Sequence, residues 1–416
     1  MNILFLSRWY PYPLDNGSRL RIYNLLRQLA RQHLVDLISF TSEEIGEERL
    51  SPLKSFCQTI ETVPYRPFKP NSLKAMVGLF SPLPRSVLDT DNAEMRTVIQ
   101  RKVQDSHYDL VIASEVDMAQ YARNISAAKI LEELEFAVLW DQARTKQNLP
   151  RKIRHGLMWQ KWMRYISQTM RDFDGSTVVS IPERQLVEQI LHKSGCVKPV
   201  HIIPNGVDLA NYMGDFGKPV PFTMVYCGAL TYSANYNAVD FFLREVYPLI
   251  QTKCPDVKLT ITGSLKGVPV DRLPAHSGVV FTDYLEDVRP TISSSWVSIV
   301  PLQLGGGTRL KILESLALGT PVISTSKGAQ GLELTPGQDI LIADSPADFA
   351  AAVQRLFADP LLRQALSRNG RQIVESRYDW QRIGQSLNEF ITEISNLPFA
   401  HLKTDFLEFS PTQRPK

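Results

Sequence analysis

A run of glycines followed by charged residues lies between positions 300 and 324, and its residue types suit the binding of a phosphate group. The residues that could do chemistry there are Gly305, Gly306, Gly307, Thr308, Arg309, Lys311 and Glu314. Consecutive glycines let the backbone approach a ligand closely and adopt positive φ angles. The unpaired N–H groups at the start of a helix attract anions. The pattern therefore predicts a phosphate-binding loop that opens a helix, with Thr308 as the N-cap and Gly319 just past the end.

Arg309 and Lys311 are placed unfavourably for an isolated helix, because the dipole at a helix N-terminus favours anions. Lys311 and Glu314 are three residues apart, so they could also form an ordinary surface ion pair worth about 0.2–0.5 kcal/mol. A bound diphosphate would offset the unfavourable placement of the two cations and accept hydrogen bonds from the loop N–H groups. Both interpretations are open on the residues alone.

The elements around this loop alternate between strand and helix along the chain, which predicts parallel sheets. Apolar, β-branched runs predict strands at 3–7, 33–40, 109–113, 128–131, 176–180, 200–203, 223–227, 258–262, 279–282 and 296–301. We expect an α/β protein of two doubly wound halves, a first domain over 1–185 and a second over 198–376. Pro182, Gly195 and Pro199 punctuate the sequence between them. A helix over 377–397 and a loosely ordered tail over 398–416 would follow.

Ligands of doubly wound domains bind beyond the carboxyl ends of the strands. Gly17 lies in the loop region after the first predicted strand, and Gly228 and Gly263 directly follow two strands of the second half. We therefore add these three glycines to the candidate binding residues. No G-x-G-x-x-G fingerprint follows the first strand and no Walker motif occurs, so neither a dinucleotide site nor a P-loop ATPase is supported.

Composition narrows the possible function classes. A net charge of +3 is too small by itself to indicate nucleic-acid binding. Four scattered cysteines, Cys57, Cys196, Cys227 and Cys254, support neither a zinc site nor a disulfide framework, so a reducing cytoplasm is the default location.

No apolar run approaches the roughly 20 residues of a membrane-spanning helix, and the first residues do not resemble a signal peptide. The Asp-Thr-Asp sequence at 89–91 precedes a predicted helix, so helix capping explains it better than a metal site.

Residues 144–171 contain eight lysines and arginines and no acidic residue, interleaved with apolar and aromatic side chains. A basic aromatic helix of this kind can lie on an anionic membrane surface. The alternative is a helix that packs on the sheet and presents a solvated basic face. The first interpretation predicts peripheral contact with the inner face of a membrane.

Three sequence stretches together resemble the retaining nucleotide-sugar glycosyltransferases of the GT-B fold, and most closely the family 4 group. They are Pro-Asn-Gly-Val-Asp at 204–208, the stretch over 305–314, and Gly-Thr-Pro-Val-Ile-Ser at 319–324. The resemblance implies that a nucleoside-diphosphate sugar binds the second domain in an interdomain cleft. Glu314 would accept hydrogen bonds from the ribose, residues 305–308 would run beside the sugar and phosphates, and Gly17 would face the diphosphate. The helix after Tyr-Asp-Trp at 378–380 would cross back to the first domain.

The sequence departs from the family pattern at three positions. Gly306 stands where the first glutamate of the family signature is expected, Ala229 stands where a basic residue is common, and no histidine occurs at 114–115. We predict that Arg309 and Lys311 supply the diphosphate charge that position 229 lacks. Glu115 and Glu133, at predicted strand ends, are the candidates for the acceptor side. An ordinary role as helix caps or loop charges is an equally good account of these two glutamates.

The expected reaction transfers a sugar to an acceptor hydroxyl, on a glycan or a lipid-linked glycan, with retention of configuration. It would need neither a metal nor a cofactor besides the nucleotide sugar, because fixed N–H dipoles and cations can stabilise the leaving diphosphate. Two alternatives are a sugar-nucleotide epimerase of the same fold and a non-catalytic nucleotide-sugar binding protein. The loss of a carboxylate at Gly306 favours the second of these alternatives.

Overall fold

The structure is a computed structural model of the chain, and it describes residues 1–42, 45–134, 149–305 and 309–396. Gly306, Gly307 and Thr308 therefore lie outside the described residues, as does the predicted tail over 398–416. Two separate sheets are formed, one from the first half of the chain and one from the second.

The first sheet has seven described strands in the order β3-β2-β1-β4-β5-β6-β7, and every pair is parallel. The strands are β1 (Asn2–Ser7), β2 (Leu34–Thr41), β3 (Thr59–Pro64), β4 (Leu110–Ser114), β5 (Ala128–Glu132), β6 (Gly175–Val178) and β7 (Val200–Ile202). The helices between them are α1 (Gly17–Leu29), α2 (Glu47–Lys54), α3 (Leu73–Val77), α4 (Arg85–Asp89), α5 (Ala93–Asp105), α6 (Val116–Ala122), α7 (Leu149–Thr169) and α8 (Ile181–Lys193). All residues of β4 and β5 are buried, as expected for parallel strands covered by helices on both faces.

The second sheet has six described strands in the order β10-β9-β8-β11-β12-β13, again parallel. The strands are β8 (Val220–Cys227), β9 (Lys258–Thr262), β10 (Val279–Phe281), β11 (Ser295–Val300), β12 (Val322–Ser324) and β13 (Leu341–Ile342). The helices are α9 (Ser233–Phe241), α10 (Tyr247–Lys253), α11 (Arg289–Ser293), α12 (Leu310–Ala317), α13 (Pro346–Ala358), α14 (Pro360–Ile373) and α15 (Trp380–Ser395). The strand order steps outward from β8 in both directions, which is the doubly wound arrangement.

The last helix, α15, returns to the first domain and packs against α1. Its apolar side chains, which include the fully buried Trp380, join the core on the α1 face of the first sheet. His33 Nε2 lies 3.0 Å from Asn388 Oδ1, and His201 Nε2 lies 2.9 Å from Ser386 Oγ. The predicted crossing helix is therefore confirmed, together with the GT-B architecture of two doubly wound domains.

The change from one domain to the other lies later in the chain than the expected boundary. β7 pairs with β6, so the first sheet extends beyond residue 198, where the second domain was expected to begin. Pro182 lies in the first turn of α8, and Gly195 adopts a φ of 67° just after that helix. Because proline suits the first turn and glycine suits the residues after a helix, both residues mark the ends of α8 rather than a linker.

Candidate active site

Two glycines at the carboxyl edge of the second sheet bring their backbones into close contact. Gly228 follows β8 with a φ of 155°, and Gly263 follows β9 with a φ of 117°. A Cβ on Gly263 would lie 2.5 Å from the carbonyl carbon of Gly228, closer than any side chain tolerates. Only glycine fits at position 263, because the backbones at the ends of β8 and β9 are in direct contact there.

The Lys311 side chain occupies the space that the absence of a side chain at Gly228 leaves open. Its Nζ donates to Tyr226 Oη at 3.1 Å and to Asn235 Oδ1 at 3.0 Å, and it lies 4.4 Å from the centre of the Tyr226 ring. A Cβ on Gly228 would lie 2.5 Å from this Nζ, so the ammonium group is beside Ala229. Burial lowers the pKa of Lys311 to about 8. A cation held in this way is stabilised by a bound anion.

Glu314 lies one helical turn after Lys311 and accepts a hydrogen bond from Tyr212 Oη at 3.1 Å. Burial raises the pKa of the Glu314 carboxyl, and burial also raises the pKa of the Tyr212 hydroxyl. A carboxylate has about four acceptor positions, so the Tyr212 contact leaves positions for hydroxyl donors of a ligand. Lys311 and Glu314 therefore present a cation and an acceptor group on the same helix, α12.

Arg309 is buried, with 6% of its surface exposed, and its Nη2 donates to the carbonyl oxygen of Gly305 at 2.8 Å. Gly305 adopts a φ of 97°, a value that suits glycine. The predicted cap at Thr308 is wrong: α12 begins at Leu310 and Arg309 occupies the N-cap position. Because its guanidinium turns back to Gly305, Arg309 holds the start of the glycine loop against the helix.

On the first sheet, Glu115 directly follows β4 with a positive φ of 67°. Its Oε2 lies 3.4 Å from Arg8 Nη1, and the same guanidinium nitrogen lies 2.9 Å from Asp117 Oδ2. Burial raises the pKa of Glu115 to about 7, and it outweighs the opposing effect of Arg8. Glu115 occupies the N-cap position of α6, but its side chain makes no capping hydrogen bond there. The carboxyl group is therefore poised to exchange a proton near neutral pH.

Glu133 and Gly17 are also located at strand or helix ends of the first domain. Glu133 follows β5 with a φ of 59°, its amide donates to Thr177 Oγ1 at 3.1 Å, and its Oε2 lies 3.7 Å from Arg21 Nε. Gly17 begins α1, and a Cβ there would meet no atom within 4 Å. Space next to Gly17 is thus open at the N-terminus of α1.

The sequence interpretation missed a buried ionic network at the carboxyl edge of the first sheet, where β4 and β5 end. Arg21 Nε donates to Glu132 Oε1 at 2.7 Å, and Arg21 Nη1 donates to Asn205 Oδ1 at 2.9 Å. Ser114 Oγ donates to the other Glu132 oxygen at 2.7 Å. Arg21 precedes Leu25 by four residues, which places it on the buried face of α1. That spacing is the signal that could have identified it.

The Asp-Thr-Asp sequence at 89–91 does not cap the helix that follows it, contrary to the prediction; Thr90 is instead the C-cap of α4. The N-cap of α5 is Asn92, whose Oδ1 accepts from the amide of Glu94 at 2.9 Å. Asp89 instead accepts from the amide of Lys69 at 2.7 Å, and Asp91 pairs with Arg96 at 2.6 Å. Asn92 directly precedes the first residue of α5, so its side chain is the one within reach of the unpaired amides of the first turn. Among the described residues, no group of three or more histidine, cysteine or acidic side chains could hold a metal ion.

Residues 144–148 of the basic aromatic stretch lie outside the described residues, and the helix over the rest of it, α7, has two unlike halves. Tyr165 is buried, and Trp159 and Trp162 pack partly buried against the first core, so the aromatic half of α7 covers the sheet. Ile153 and Leu157, in the preceding half of α7, are exposed. No helix in the described part of the chain is long and apolar enough to cross a membrane.

Comparison with known proteins gives matches over the second domain and, for some relatives, over nearly the whole chain. Residues 221–359 match the family model described as Glycosyl transferases group 1. An uncharacterized 44.6 kDa protein in the cps region of Klebsiella pneumoniae is 21% identical over 92% of this chain and 98% of that protein. The D-inositol 3-phosphate glycosyltransferase of Paenarthrobacter aurescens is 26% identical over 47% of this chain, and the match spans only 52% of that enzyme.

Solved structures share the fold over nearly the whole chain. Sucrose-phosphate synthase from Thermosynechococcus elongatus matches with a TM-score of 0.66 at 16% identity, covering 95% of this chain and 99% of that one. Anabaena HepE in complex with UDP matches with a TM-score of 0.65 at 15% identity, covering 94% and 100%. The two domains therefore have the GT-B fold. Within that fold, the match of residues 221–359 to the glycosyl transferases group 1 model and the similarity to named glycosyltransferases support assignment of the chain to the glycosyltransferases.

Proposed function

We propose that the protein transfers a sugar from a nucleoside diphosphate to an acceptor hydroxyl, with retention of configuration and without a divalent metal. The observation that carries the proposal is Lys311, whose ammonium group lies at the end of β8 beside Ala229 and Gly228. A cation at this strand end takes the place of the basic residue missing at position 229. Glu314, on the next turn of α12, adds an acceptor for the ribose hydroxyls.

The donor would lie across the carboxyl edge of the second sheet, with its diphosphate between Lys311 and the glycine loop that begins at Gly305. Charge-assisted hydrogen bonds to the phosphates contribute about 1.5–3 kcal/mol each. Arg309 would act by fixing the Gly305 backbone and by adding positive charge next to it. The structural relative HepE is named as a complex with UDP, which supports a nucleoside diphosphate as the leaving group here.

Retention would follow from a reaction in which the acceptor attacks from the face that the diphosphate leaves. The departing phosphate oxygen takes the proton of the acceptor hydroxyl, so the enzyme needs no separate general base for that step. Lys311 and the loop N–H groups stabilise the charge that develops on the leaving oxygen. The acceptor would be a glycan or a lipid-linked glycan bound on the first domain near Glu115.

Nucleotide binding tests the proposal directly. Of UDP, GDP, ADP and TDP, we expect at least one to raise the melting temperature, since a ligand at 100 times its Kd stabilises by about 2.7 kcal/mol. Glu314→Ala should weaken that shift and raise the donor KM, with a loss on the order of 2–4 kcal/mol. Glu245→Ala, an exposed glutamate of the same domain, is the matched control and should change neither value.

The same preparation distinguishes the alternatives. Incubation of a sugar nucleotide with acceptor should release the nucleoside diphosphate and form a glycosidic product with retained configuration. Isomerised donor formed without acceptor would indicate an epimerase, and binding without any release would indicate a non-catalytic binding protein. An unchanged donor KM in Glu314→Ala would remove that residue from the donor site.

Acceptor use is expected to depend on pH through Glu115. Because burial raises the pKa of Glu115 to about 7, this group is protonated below that pH and gains its charge above it. If the carboxylate orients the acceptor hydroxyl, kcat/KM for the acceptor should fall about tenfold per pH unit below about 7. Glu115→Gln should remove this dependence, whereas Glu94→Gln, an exposed control at the start of α5, should keep it. An identical pH profile in Glu115→Gln would exclude the role.

A further inference from the structure

The turn that contains α3 exposes an unusual concentration of apolar side chains. Phe80 is 93% exposed and Leu73 is 78% exposed, and Met76, Val77 and Leu79 are each more than half exposed. Contiguous apolar surface of this kind is uncommon on a protein that meets only water, and it marks interaction sites.

The N-terminal half of α7 also exposes apolar side chains, Ile153, Leu157 and Met158. Ile153 and Leu157 are four residues apart and share one side of the helix, and Met158 is adjacent to Leu157. Lys161 Nζ donates to the carbonyl oxygens of Gly78 at 3.0 Å and Leu79 at 2.8 Å, which fixes α7 against the turn. We call the combined surface the apolar face: Leu73, Met76, Val77, Leu79, Phe80, Ile153, Leu157 and Met158.

The two segments that form the apolar face, residues 62–88 and helix α7, contain basic side chains and no acidic ones. Residues 62–88 contain four basic side chains, Arg66, Lys69, Lys74 and Arg85, and no acidic residue. Helix α7 likewise contains basic side chains, which include Lys152 and Arg154, and no acidic residue. The carboxylate that follows the first segment, Asp89, is bonded to Ser72 Oγ and to the amide of Lys69. The apolar face is thus flanked by cations.

We propose that the apolar face docks the protein on an anionic lipid bilayer. Its side chains enter the boundary between headgroups and acyl chains, and the flanking lysines and arginines pair with lipid phosphates. The α3 turn, which lies outside the basic stretch over 144–171, contributes five of the eight apolar side chains. This inference goes beyond the transfer reaction, because docking requires neither the donor nor the acceptor.

Co-sedimentation of the full chain with lipid vesicles tests the inference. We expect binding to vesicles that contain phosphatidylglycerol, weaker binding at high salt, and little binding to pure phosphatidylcholine. Phe80→Ser combined with Leu157→Ser should reduce partitioning at least about tenfold, because both lose apolar insertion. Leu361→Ser, which alters a side chain 77% exposed in the second domain, is the matched control and should bind like the original chain.

Several results would overturn the inference. The first is that the original chain does not bind anionic vesicles. The second is that the double variant binds them as well as the original chain does. The third is that Leu361→Ser loses as much binding as the double variant. A chain that is dimeric in solution and becomes monomeric in the double variant would assign the apolar face to a second copy instead. The melting-temperature shift produced by a nucleoside diphosphate should be the same in all these variants. A failure of the membrane proposal can therefore be told apart from a failure of the proposed donor site.

Discussion

Lys311→Met is expected to lower kcat/KM for the sugar donor about 10- to 100-fold, which corresponds to the loss of about 1.4–2.7 kcal/mol of charge-assisted phosphate contact. Its ammonium group occupies the end of β8 next to Ala229, where we propose that the diphosphate binds. Methionine keeps the unbranched apolar part of the side chain but removes the ammonium group and its charge. Tyr226 Oη still donates to Asn235 Oδ1 at 2.9 Å, so these partners remain paired in the variant.

The same substitution is expected to stabilise the free protein at neutral pH. Burial lowers the pKa of Lys311 from 10.5 to about 8, so the folded state holds this proton less tightly than the unfolded state. The stability of the original chain should therefore rise as the pH increases from about 8 to 10.5. Below pH 8, Lys311→Met should unfold at a higher temperature, by an amount that corresponds to about 1–2 kcal/mol for a partly exposed group.

Kinetics and denaturation of a small set of variants check both effects. Lys253→Met, at an exposed lysine of the same domain, should change neither donor use nor stability. Combining Lys311→Met with Arg309→Met should extend the loss of donor turnover to about 10²–10⁴. Turnover that stays within a factor of about two in both single variants would exclude the proposed role of this pair in stabilising the diphosphate.

Arg21→Met is expected to have the largest effect on stability, a loss of about 3–5 kcal/mol in the free energy of unfolding. Arg21 and Glu132 are both fully buried, and their closest charged atoms are 2.6 Å apart. Removing the guanidinium leaves the Glu132 carboxylate inside the protein with the Ser114 hydroxyl as its remaining partner in this network. An unpaired buried charge is costly because the protein interior solvates it poorly.

The double variant Arg21→Met with Glu132→Met should recover most of the lost stability, because two apolar side chains replace a buried pair at little cost. Turnover in this double variant should stay low if the pair also orients the two domains. The reason is that the hydrogen bond from Arg21 Nη1 to Asn205 Oδ1, in the segment between β7 and β8, is lost. Lys54→Met breaks an exposed pair with Glu47 and should cost less than about 1 kcal/mol. A double variant as active as the original chain would limit the network to folding.

Much of the fold could be predicted because parallel strands buried on both faces leave a clear sequence signal. The runs around Leu110, Ile130 and Ile299 are short, apolar and β-branched, and all three are buried strand residues. The domain boundary was harder to predict. Proline and glycine occur both in linkers and at the ends of helices, so they do not distinguish the two. The pairing of β7 with β6 is a long-range contact that the local sequence does not encode.

Only the part of the candidate site that depends on the spacing of residues along one helix could be predicted from the sequence. Lys311 and Glu314 share a helix face by their spacing, but the close contact between Gly228 and Gly263 depends on two strands that meet in space. Glu133 was chosen over Glu132, although Glu132 ends β5 and is the buried partner of Arg21. Adjacent strand residues point to opposite faces, so a shift of one residue moves a carboxylate from the protein interior toward the surface.

The return of α15 means that the first domain is assembled from both ends of the chain. Trp380, Phe390 and Ile394 complete the same core as Leu25 and Leu29 of α1, and Ser395 Oγ lies 3.5 Å from Met1 Sδ. During synthesis the ribosome releases these late residues only after all strands of the second sheet have emerged. The second domain, whose sheet is contiguous in sequence, can therefore fold first, while the earlier-made domain waits for its last helix. The path of the chain thus permits the reverse of the usual order of folding, in which the N-terminal domain comes first.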